Sequence, residues 1–403
     1  MILLMTDDIP LSPCPCESGL PYNLCCGVPG KMAVNAQIHA YIGSEGIKTG
    51  HDLTPEMLAA VETISTNPDL FPARFQLLNN KVWFVKMSPE WYRQSVFLDP
   101  SRIKGTYVIE ADTQWVATAC QSLRWQSTSV IFHTAFCGST LMAQALDSMF
   151  NCLSLKEPDA LGILLYYLRN APPEHPRAEN FDLMMKLLSR RYDAQQGVVI
   201  KANDYANPII KDLLSWEHAV PILFMYTPLE EFLAGCLKAD NRREWIRGRY
   251  QTINTELLAC FPTLATSDMN ESDFGKMAAV YWCYNVSLFL KALHEVNKDS
   301  GKSHLLRSLD FNTMLASPRQ AVQACGDLFG LKKLADTDWD ETLKSLFGVY
   351  SKNNRFRYSP QQRELDISQV LNENPEHVEA AQQLARVLLG SDYPDTGLPA
   401  ALI

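Results

Sequence analysis

The chain has 403 residues, of which 47% are hydrophobic and 20% are charged, and its formal net charge at pH 7 is −9. This composition excludes a disordered or fibrous chain and predicts a globular protein with room for two domains or for one large domain with additions. Because the net charge repels polyanions, we do not expect nucleic acid as a partner.

The start of the sequence, its apolar runs and its cysteines bear on the location of the protein in the cell. The longest clean apolar run, residues 219–226, is too short to cross a bilayer, so we expect no membrane association. The apolar start of the chain is brief and no basic residue precedes it, which is not the pattern of a secretory signal. Eleven cysteines without such a signal favour reduced thiols and a cytoplasmic location.

Four cysteines stand close together near the start of the chain, and they are Cys14, Cys16, Cys25 and Cys26. Structural zinc sites commonly have four thiolate ligands, and Gly19 and Pro21 allow the chain between the two pairs to turn back. The residues alone leave two alternatives open, which are reduced surface thiols and a disulfide.

The spacing of these cysteines is also specific. Cys-x-Cys, eight residues, then Cys-Cys-Gly resembles the SEC-C motif, a zinc-binding module of about fifteen residues. The resemblance implies a small zinc motif over residues 1–30, with zinc on the four cysteines and a docking surface for a protein partner.

The sequence pattern over residues 31–125 predicts an accessory α+β region. Helices are expected over Met32–Ile42, from Pro55 after a Thr54 cap, and over Pro89–Phe97. A strand is expected over Lys81–Met87. No residue pattern in this region points to a particular chemistry.

From residue 126 to residue 403 the pattern alternates strands and helices, which favours an α/β domain with a parallel sheet covered by helices. Asn374, Pro375 and Gly390 predict the start and end of a helix near the end of the sequence. The strand candidates are residues 129–133, 152–155, 197–201, 221–226 and 304–308.

A turn between the first of these strands and an amphipathic helix is a candidate anion site. Free N–H groups at a helix N-terminus, together with the helix dipole, bind phosphate. An ordinary strand–helix connection with a Ser or Thr cap is the alternative. The candidate binding residues are Thr134, Phe136, Cys137, Gly138, Ser139, Thr140 and Leu141.

This turn resembles the 5′-phosphosulfate loop of the sulfotransferase family. Later segments match the family's motifs in the expected order, and they are LKEP at 155–158, GVVIK at 197–201, DFNTML at 310–315 and LFGL at 328–331. The chain departs from the family where Phe136 and Tyr226 stand in place of basic residues. Lys352 falls in the region of the family's basic loop, which contacts the cofactor.

The resemblance implies a three-layer P-loop fold over residues 126–403. It also implies transfer of a sulfuryl group from 3′-phosphoadenosine-5′-phosphosulfate (PAPS) to a hydroxyl or amine acceptor. Two other functions stay open, which are transfer from a different nucleotide-type donor and a non-catalytic role in which the zinc motif recruits a partner.

Several side chains near the turn are candidates for the chemistry. Glu157 matches the base of heparan-type sulfotransferases, although a salt bridge to a neighbouring lysine is equally open. His133 is the alternative base or a packed histidine. Lys156 and Lys201 end strands beside the turn and could neutralise phosphate charge, and Lys201 could also stabilise the leaving group. Cys137 near a helix N-terminus is a possible nucleophile.

The zinc assignment makes a direct prediction. Elemental analysis of the purified protein should find about one zinc per chain, because four thiolates complete a structural zinc site. Changing Cys25 and Cys26 to Ser together should abolish zinc binding, and it should release a protein partner without altering ligand binding at the turn. A wild-type protein without zinc would contradict the assignment.

Overall fold

The computed structural model describes residues 39–43, 46–49, 55–99, 103, 108–218, 220–266, 269–270, 272–298, 301–335, 337–350, 353–357 and 359–403. The four candidate zinc ligands and Lys352 lie outside the described residues.

The elements follow one another in mixed order along the chain. The strands are β1 (His39–Gly43), β2 (Gly46–Thr49), β3 (Leu70–Gln76), β4 (Lys81–Lys86), β5 (Val108–Asp112), β6 (Thr128–His133), β7 (Cys152–Lys156), β8 (Gly197–Lys201), β9 (Ile222–Tyr226), β10 (Leu306–Asp310), β11 (Val349–Tyr350) and β12 (Asn353–Arg357). The helices are α1 (Pro55–Glu62), α2 (Pro89–Gln94), α3 (Thr113–Ala119), α4 (Ser139–Met149), α5 (Ala160–Asn170), α6 (Arg177–Leu188), α7 (Ile210–Ser215), α8 (Leu229–Leu237), α9 (Asp240–Thr252), α10 (Asn254–Cys260), α11 (Phe274–Asn297), α12 (Phe311–Ala316), α13 (Pro318–Leu328), α14 (Trp339–Phe347), α15 (Pro360–Glu373) and α16 (Pro375–Leu389).

The described chain forms two compact units. The first contains the described residues up to Gln126 together with residues 157–192, and the second contains residues 127–156 and those from Asp193 onwards. The sequence predicted a boundary after residue 125, but it assigned residues 157–192 to the second unit. Those residues form α5 and α6, whose contacts are with β3 and with each other.

The first unit has a five-stranded mixed sheet in the order β2-β1-β5-β4-β3. Only the β1–β5 pair is parallel. The buried Arg190 guanidinium holds the end of α6 to this unit, because it donates to the carbonyl oxygens of Leu187 at 2.8 Å and of Ile64 at 2.5 Å. Burial lowers the pKa of Arg190 to about 10.

One predicted element of the first unit is wrong. A helix was expected over Met32–Ile42, whereas residues 39–43 form strand β1, which pairs with β2 and β5. Backbone pairing on both sides of β1 outweighs the local helical pattern, as tertiary context often does.

The second unit has a five-stranded parallel sheet in the order β10-β9-β6-β8-β7, flanked by helices. The chain runs from the central strand β6 to β7 and β8 on one side, and then to β9 and β10 on the other. The order therefore reverses at β6. In open parallel sheets, ligands bind outside the carboxyl ends of the strands at such a reversal.

Helices pack on both faces of this sheet. On one face, apolar side chains of α4, α13 and α14 form a core with those of the strands. On the other face, the ring of Phe289 from α11 stacks on Phe224 of β9, with centroids 4.9 Å apart. The Trp282 indole of α11 donates to the Thr227 carbonyl at 2.9 Å just beyond β9. The sheet is thus covered on both faces, and α11 fixes the end of β9, the strand next to β6.

A segment near residue 400 lies along the outer edge of β10. The Ser308 N–H donates to the Ala400 carbonyl at 2.9 Å, and the Leu402 N–H donates to the Ser308 carbonyl at 2.8 Å. This edge of the sheet is therefore paired. Within the described part of the chain, no helix is both long enough and apolar enough to cross a membrane.

Two helical glycines test the packing of the second unit. A Cβ at Gly326 of α13 would lie 2.2 Å from the Phe150 ring, whereas a Cβ at Gly248 of α9 would meet nothing within 4 Å. Gly326→Ala should lower the free energy of unfolding by about 1–3 kcal/mol through overpacking. Gly248→Ala should raise it by about 0.5–1 kcal/mol because alanine favours helix. Urea denaturation measures both, and effects of equal sign would contradict the packing.

Candidate anion-binding site

The turn after the central strand has a constrained backbone. β6 ends at His133 and α4 begins at Ser139, and we call residues 134–138 the β6–α4 loop. Ala135, Phe136 and Gly138 have φ angles of 68°, 53° and 72°, in the left-handed region. Each such non-glycine residue costs about 1–2 kcal/mol, so neighbouring groups must hold the loop in this form.

The buried His133 ring is one of these groups. Its Nδ1 accepts the Ala135 N–H at 3.0 Å, and its Nε2 lies 3.0 Å from the Ala202 carbonyl oxygen. These partners assign the proton to Nε2, which donates to Ala202. The Asn207 side chain also bonds the main-chain N–H and C=O of His133. Both ring nitrogens of the predicted alternative base are therefore occupied.

Packing of Phe136 is the second constraint. Its ring contacts Phe232 and Trp245, with centroids 5.8 and 5.2 Å away, and the Arg242 guanidinium lies 5.0 Å from its centroid. A Cβ on Gly138 would lie 2.3 Å from the Phe311 ring, so only glycine fits there. Phe136 thus anchors the loop through its side chain, and only its main chain can contribute to an anion site.

The start of α4 presents donors that bond no described oxygen atom, although those of Ser139 face the Cys137 sulfur. Among the described residues, no oxygen atom accepts from the main-chain N–H groups of residues 136–141, and the first helical hydrogen bond runs from Met142 N to Gly138 O at 3.0 Å. Thr140 is only 2% exposed, yet its Oγ1 has no hydrogen-bond partner within the described chain. Buried hydroxyls are normally bonded, so Thr140 Oγ1 is a candidate to bond a ligand at this turn.

The Cys137 thiol does not have the character of a nucleophile. It is fully buried and donates to the Met225 carbonyl at 3.3 Å. Burial raises the pKa of Cys137 to about 11, although Lys201 and the donors of Ser139 act in the opposite direction. The thiol is therefore protonated at neutral pH, in contrast to the expectation from its place near a helix N-terminus.

The two strand-end lysines have different surroundings. The Lys156 ammonium is fully buried and lies 3.0 Å from an Asp147 carboxylate oxygen on α4, so an ion pair neutralises it. Lys201 is 1% exposed and pairs in register with Ile131 of β6, directly under the loop. Lys201 is thus close to the anion site, whereas Lys156 is engaged inside the unit.

Of the two remaining predicted site residues, Glu157 is described by the structure and Lys352 is not. Glu157 follows β7 directly, with a left-handed φ of 54°, where the chain passes from the second unit into the first. Its assignment as the base stays a prediction. Lys352 lies outside the described residues.

The basic residues of α9 contact groups within the second unit. Arg249 forms two 2.9 Å hydrogen bonds with the Asp204 carboxylate. Arg247 lies 2.9 Å from Glu244, and Arg243 donates to Asn374 at 3.4 Å. These partners favour a structural role for the basic residues of α9 over binding of an anion.

Sequence reasoning missed the polar residues that follow β8. Asn203 is 6% exposed, and its Oδ1 has no partner among the described residues. Asn207 joins β6 to α11, because its Nδ2 also donates to Asn285 Oδ1 at 2.6 Å. The available signal was their place directly after a buried parallel strand, where ligands bind.

A cavity lies at the ends of β9 and β10. Its volume is about 560 Å³, and its lining includes Tyr226, Trp282 and Asp310. Tyr226, where the sulfotransferase family has arginine, accepts the Leu398 N–H at 2.9 Å. Burial raises the pKa of Asp310.

Comparison with known proteins gives a limited result. No family model and no curated protein matches the sequence. Among solved structures, the chain is similar to the sulfotransferase domain from the curacin biosynthetic pathway, with 10% identity and a TM-score of 0.34. The match covers 62% of this chain and 98% of that domain. A similarity at this level does not indicate the activity of this protein.

The Lys156–Asp147 pair gives a testable prediction. Asp147→Asn should lower the free energy of unfolding by about 3–5 kcal/mol, because it removes the carboxylate that pairs with a buried ammonium. The double variant Asp147→Leu/Lys156→Met removes both charges and should recover most of that loss. Urea denaturation of the three proteins tests this. A double variant as unstable as Asp147→Asn would show that the charges do not act as a pair.

Proposed function

We propose that the β6–α4 loop binds the phosphosulfate end of a nucleotide-type donor and that the protein transfers a sulfuryl group from PAPS to a hydroxyl or amine acceptor. The observation that carries the binding step is the buried Thr140 Oγ1, which has no partner among the described residues and lies beside N–H groups that no described oxygen atom accepts. Their place at the reversal of the strand order supports the same conclusion.

Each part of the loop has a role in this proposal. The main-chain N–H groups of residues 136–138, 140 and 141 and the hydroxyl of Thr140 donate to oxyanion oxygens, while the donors of Ser139 face the Cys137 sulfur. Lys201 adds a positive charge beneath the loop. His133 positions the loop through its ring. Lys156 has no part in binding, because Asp147 neutralises it.

The reaction would proceed by attack of the acceptor oxygen or nitrogen on sulfur. The bond between sulfur and the bridging phosphate oxygen breaks, and its electron pair leaves with adenosine 3′,5′-bisphosphate. The acceptor proton passes to a base, for which Glu157 is the candidate. Donors around the loop stabilise the charge that develops on the leaving phosphate.

A second function is a non-catalytic one, in which the loop binds a nucleotide phosphate without transfer. Two observations favour it, since both ring nitrogens of His133 are bonded and Tyr226 contacts Leu398 where the family has a charged grip. Release of adenosine 3′,5′-bisphosphate from PAPS in the presence of an acceptor would exclude this alternative.

Ligand binding to the wild-type protein is the first test. Adenosine 3′,5′-bisphosphate at a hundredfold excess over its dissociation constant should stabilise the fold by about 2.7 kcal/mol. A melting-temperature shift with ATP and magnesium, but none with the bisphosphate, would instead favour a different donor. No shift with either ligand at millimolar concentration would overturn the proposed function.

Thr140→Val separates a ligand role from a structural role. Without ligand, the free energy of unfolding of the variant should be about 1 kcal/mol higher than that of the wild type, because the substitution removes a buried polar atom that has no partner among the described residues. Its affinity for the bisphosphate should fall about 10- to 100-fold, since a hydrogen bond to a charged group is lost. Calorimetry and urea denaturation measure the two effects.

Ser148→Ala is the matched control on the same helix, because the Ser148 hydroxyl already donates to the Gln144 carbonyl at 2.9 Å. Its affinity for the bisphosphate should equal that of the wild type. A Thr140→Val variant with unchanged affinity and lower stability would show that the hydroxyl serves the fold rather than a ligand.

A further inference from the structure

A second buried polar group beside the β6–α4 loop also has no partner. Asn203 lies two residues beyond the end of β8 and is 6% exposed, and its Oδ1 accepts no hydrogen bond from any described residue. An amide oxygen in this setting requires a donor. Thr140 offers a hydroxyl that can donate to an anion, whereas Asn203 Oδ1 can only accept.

The sheet geometry places Asn203 on the side of the loop that faces β8. Val199 belongs to the core under α4, and Lys201 follows two residues later on the same face. Asn203 has φ −71° and ψ 151°, which continues the extended backbone. Its side chain therefore leaves the chain on the α4 face, at the carboxyl end of the sheet.

Thr140 borders the same side of the site. It lies seven residues before Asp147 on α4, so the two side chains share a helix face. Asp147 pairs with Lys156 of β7, the strand next to β8. The donor hydroxyl of Thr140 and the acceptor oxygen of Asn203 thus face the space between the start of α4 and the end of β8.

The turn after β8 does not need the Asn203 side chain. Its main-chain carbonyl accepts the Ala206 N–H at 3.0 Å, and Asn207 makes the bonds that fix this turn to His133 and Asn285. The side-chain amide of Asn203 is therefore available for a ligand.

We propose that Asn203 is a positioning residue, which accepts a hydrogen bond from an O–H or N–H group of the acceptor held next to the loop-bound oxyanion. This inference rests on the proposed function. It restricts the acceptor to an alcohol or an amine that still carries a hydrogen when it binds. Because an amide does not take up a proton at neutral pH, Asn203 orients the attacking atom and another group receives its proton.

Two inorganic anions test this without knowledge of the acceptor. Orthophosphate presents oxyanion oxygens together with a P–OH group, and sulfate presents oxyanion oxygens only. At about pH 6 phosphate carries less negative charge than sulfate, so charge alone favours sulfate. The wild-type protein should nevertheless bind phosphate about tenfold more tightly, which corresponds to about 1.4 kcal/mol for one accepted hydrogen bond.

Two variants at Asn203 should change this preference in different ways. Asn203→Leu has a similar volume but no acceptor, so phosphate affinity should fall to that of sulfate while sulfate affinity stays within about twofold. Asn203→Asp keeps an acceptor and repels a fully ionised anion, so the preference for phosphate should be kept or increased. Isothermal titration with both anions gives the ratios, and urea denaturation checks that each variant is folded.

Several results would overturn the assignment. These are equal affinities of the wild-type protein for the two anions, an unchanged preference in Asn203→Leu, or an equal loss of both anions in Asn203→Leu, which would place the amide nitrogen against the anion. If adenosine 3′,5′-bisphosphate binds and the preference is absent, only the role of Asn203 fails. If neither the bisphosphate nor either anion binds, the proposed function fails as well.

Discussion

The two hydrogen bonds of the His133 ring are the constraint on which the candidate site depends. They join the Ala135 N–H to the Ala202 carbonyl, and so they tie the β6–α4 loop to the neighbouring strand end. The loop has left-handed residues at Ala135 and Phe136, whose strain must be offset by such contacts. In this conformation no oxygen atom of the described residues accepts from the first N–H groups of α4, so the proposed site would bind through dipoles fixed in advance of the ligand.

Most of the second unit could be predicted from local signals. Pro375 and Gly390 marked the start and end of α16, and buried apolar runs such as residues 197–201 marked the strands. Such signals are local, because capping and burial act over a few residues. The strand over His39–Gly43 was predicted as helix, since its conformation depends on pairing with distant strands. For the same reason, no local signal showed that residues 157–192 pack with the first unit.

The sequence predicted only those features of the site that depend on residues next to one another in the chain. The position of the loop follows from a strand, a glycine and a helix in sequence, but the partners of its side chains do not. Lys156 was expected to face phosphate. Instead it forms an ion pair with Asp147 of α4, a helix that packs on one face of the sheet. Asn203 carries no sequence signal beyond its place after a strand. That its Oδ1 has no partner among the described residues becomes visible only in the folded structure.

The segment along the edge of β10 has a consequence for how the second unit assembles. The Ser308 hydroxyl donates to the Leu398 carbonyl, which lies 90 residues further along the chain. Because non-local contacts form more slowly than local ones, this pairing is expected to follow the formation of the neighbouring helices during folding. Until then β10 presents an open row of backbone donors and acceptors, on which another chain can add a strand. Docking of this segment therefore closes an edge that would otherwise be open to the addition of a strand.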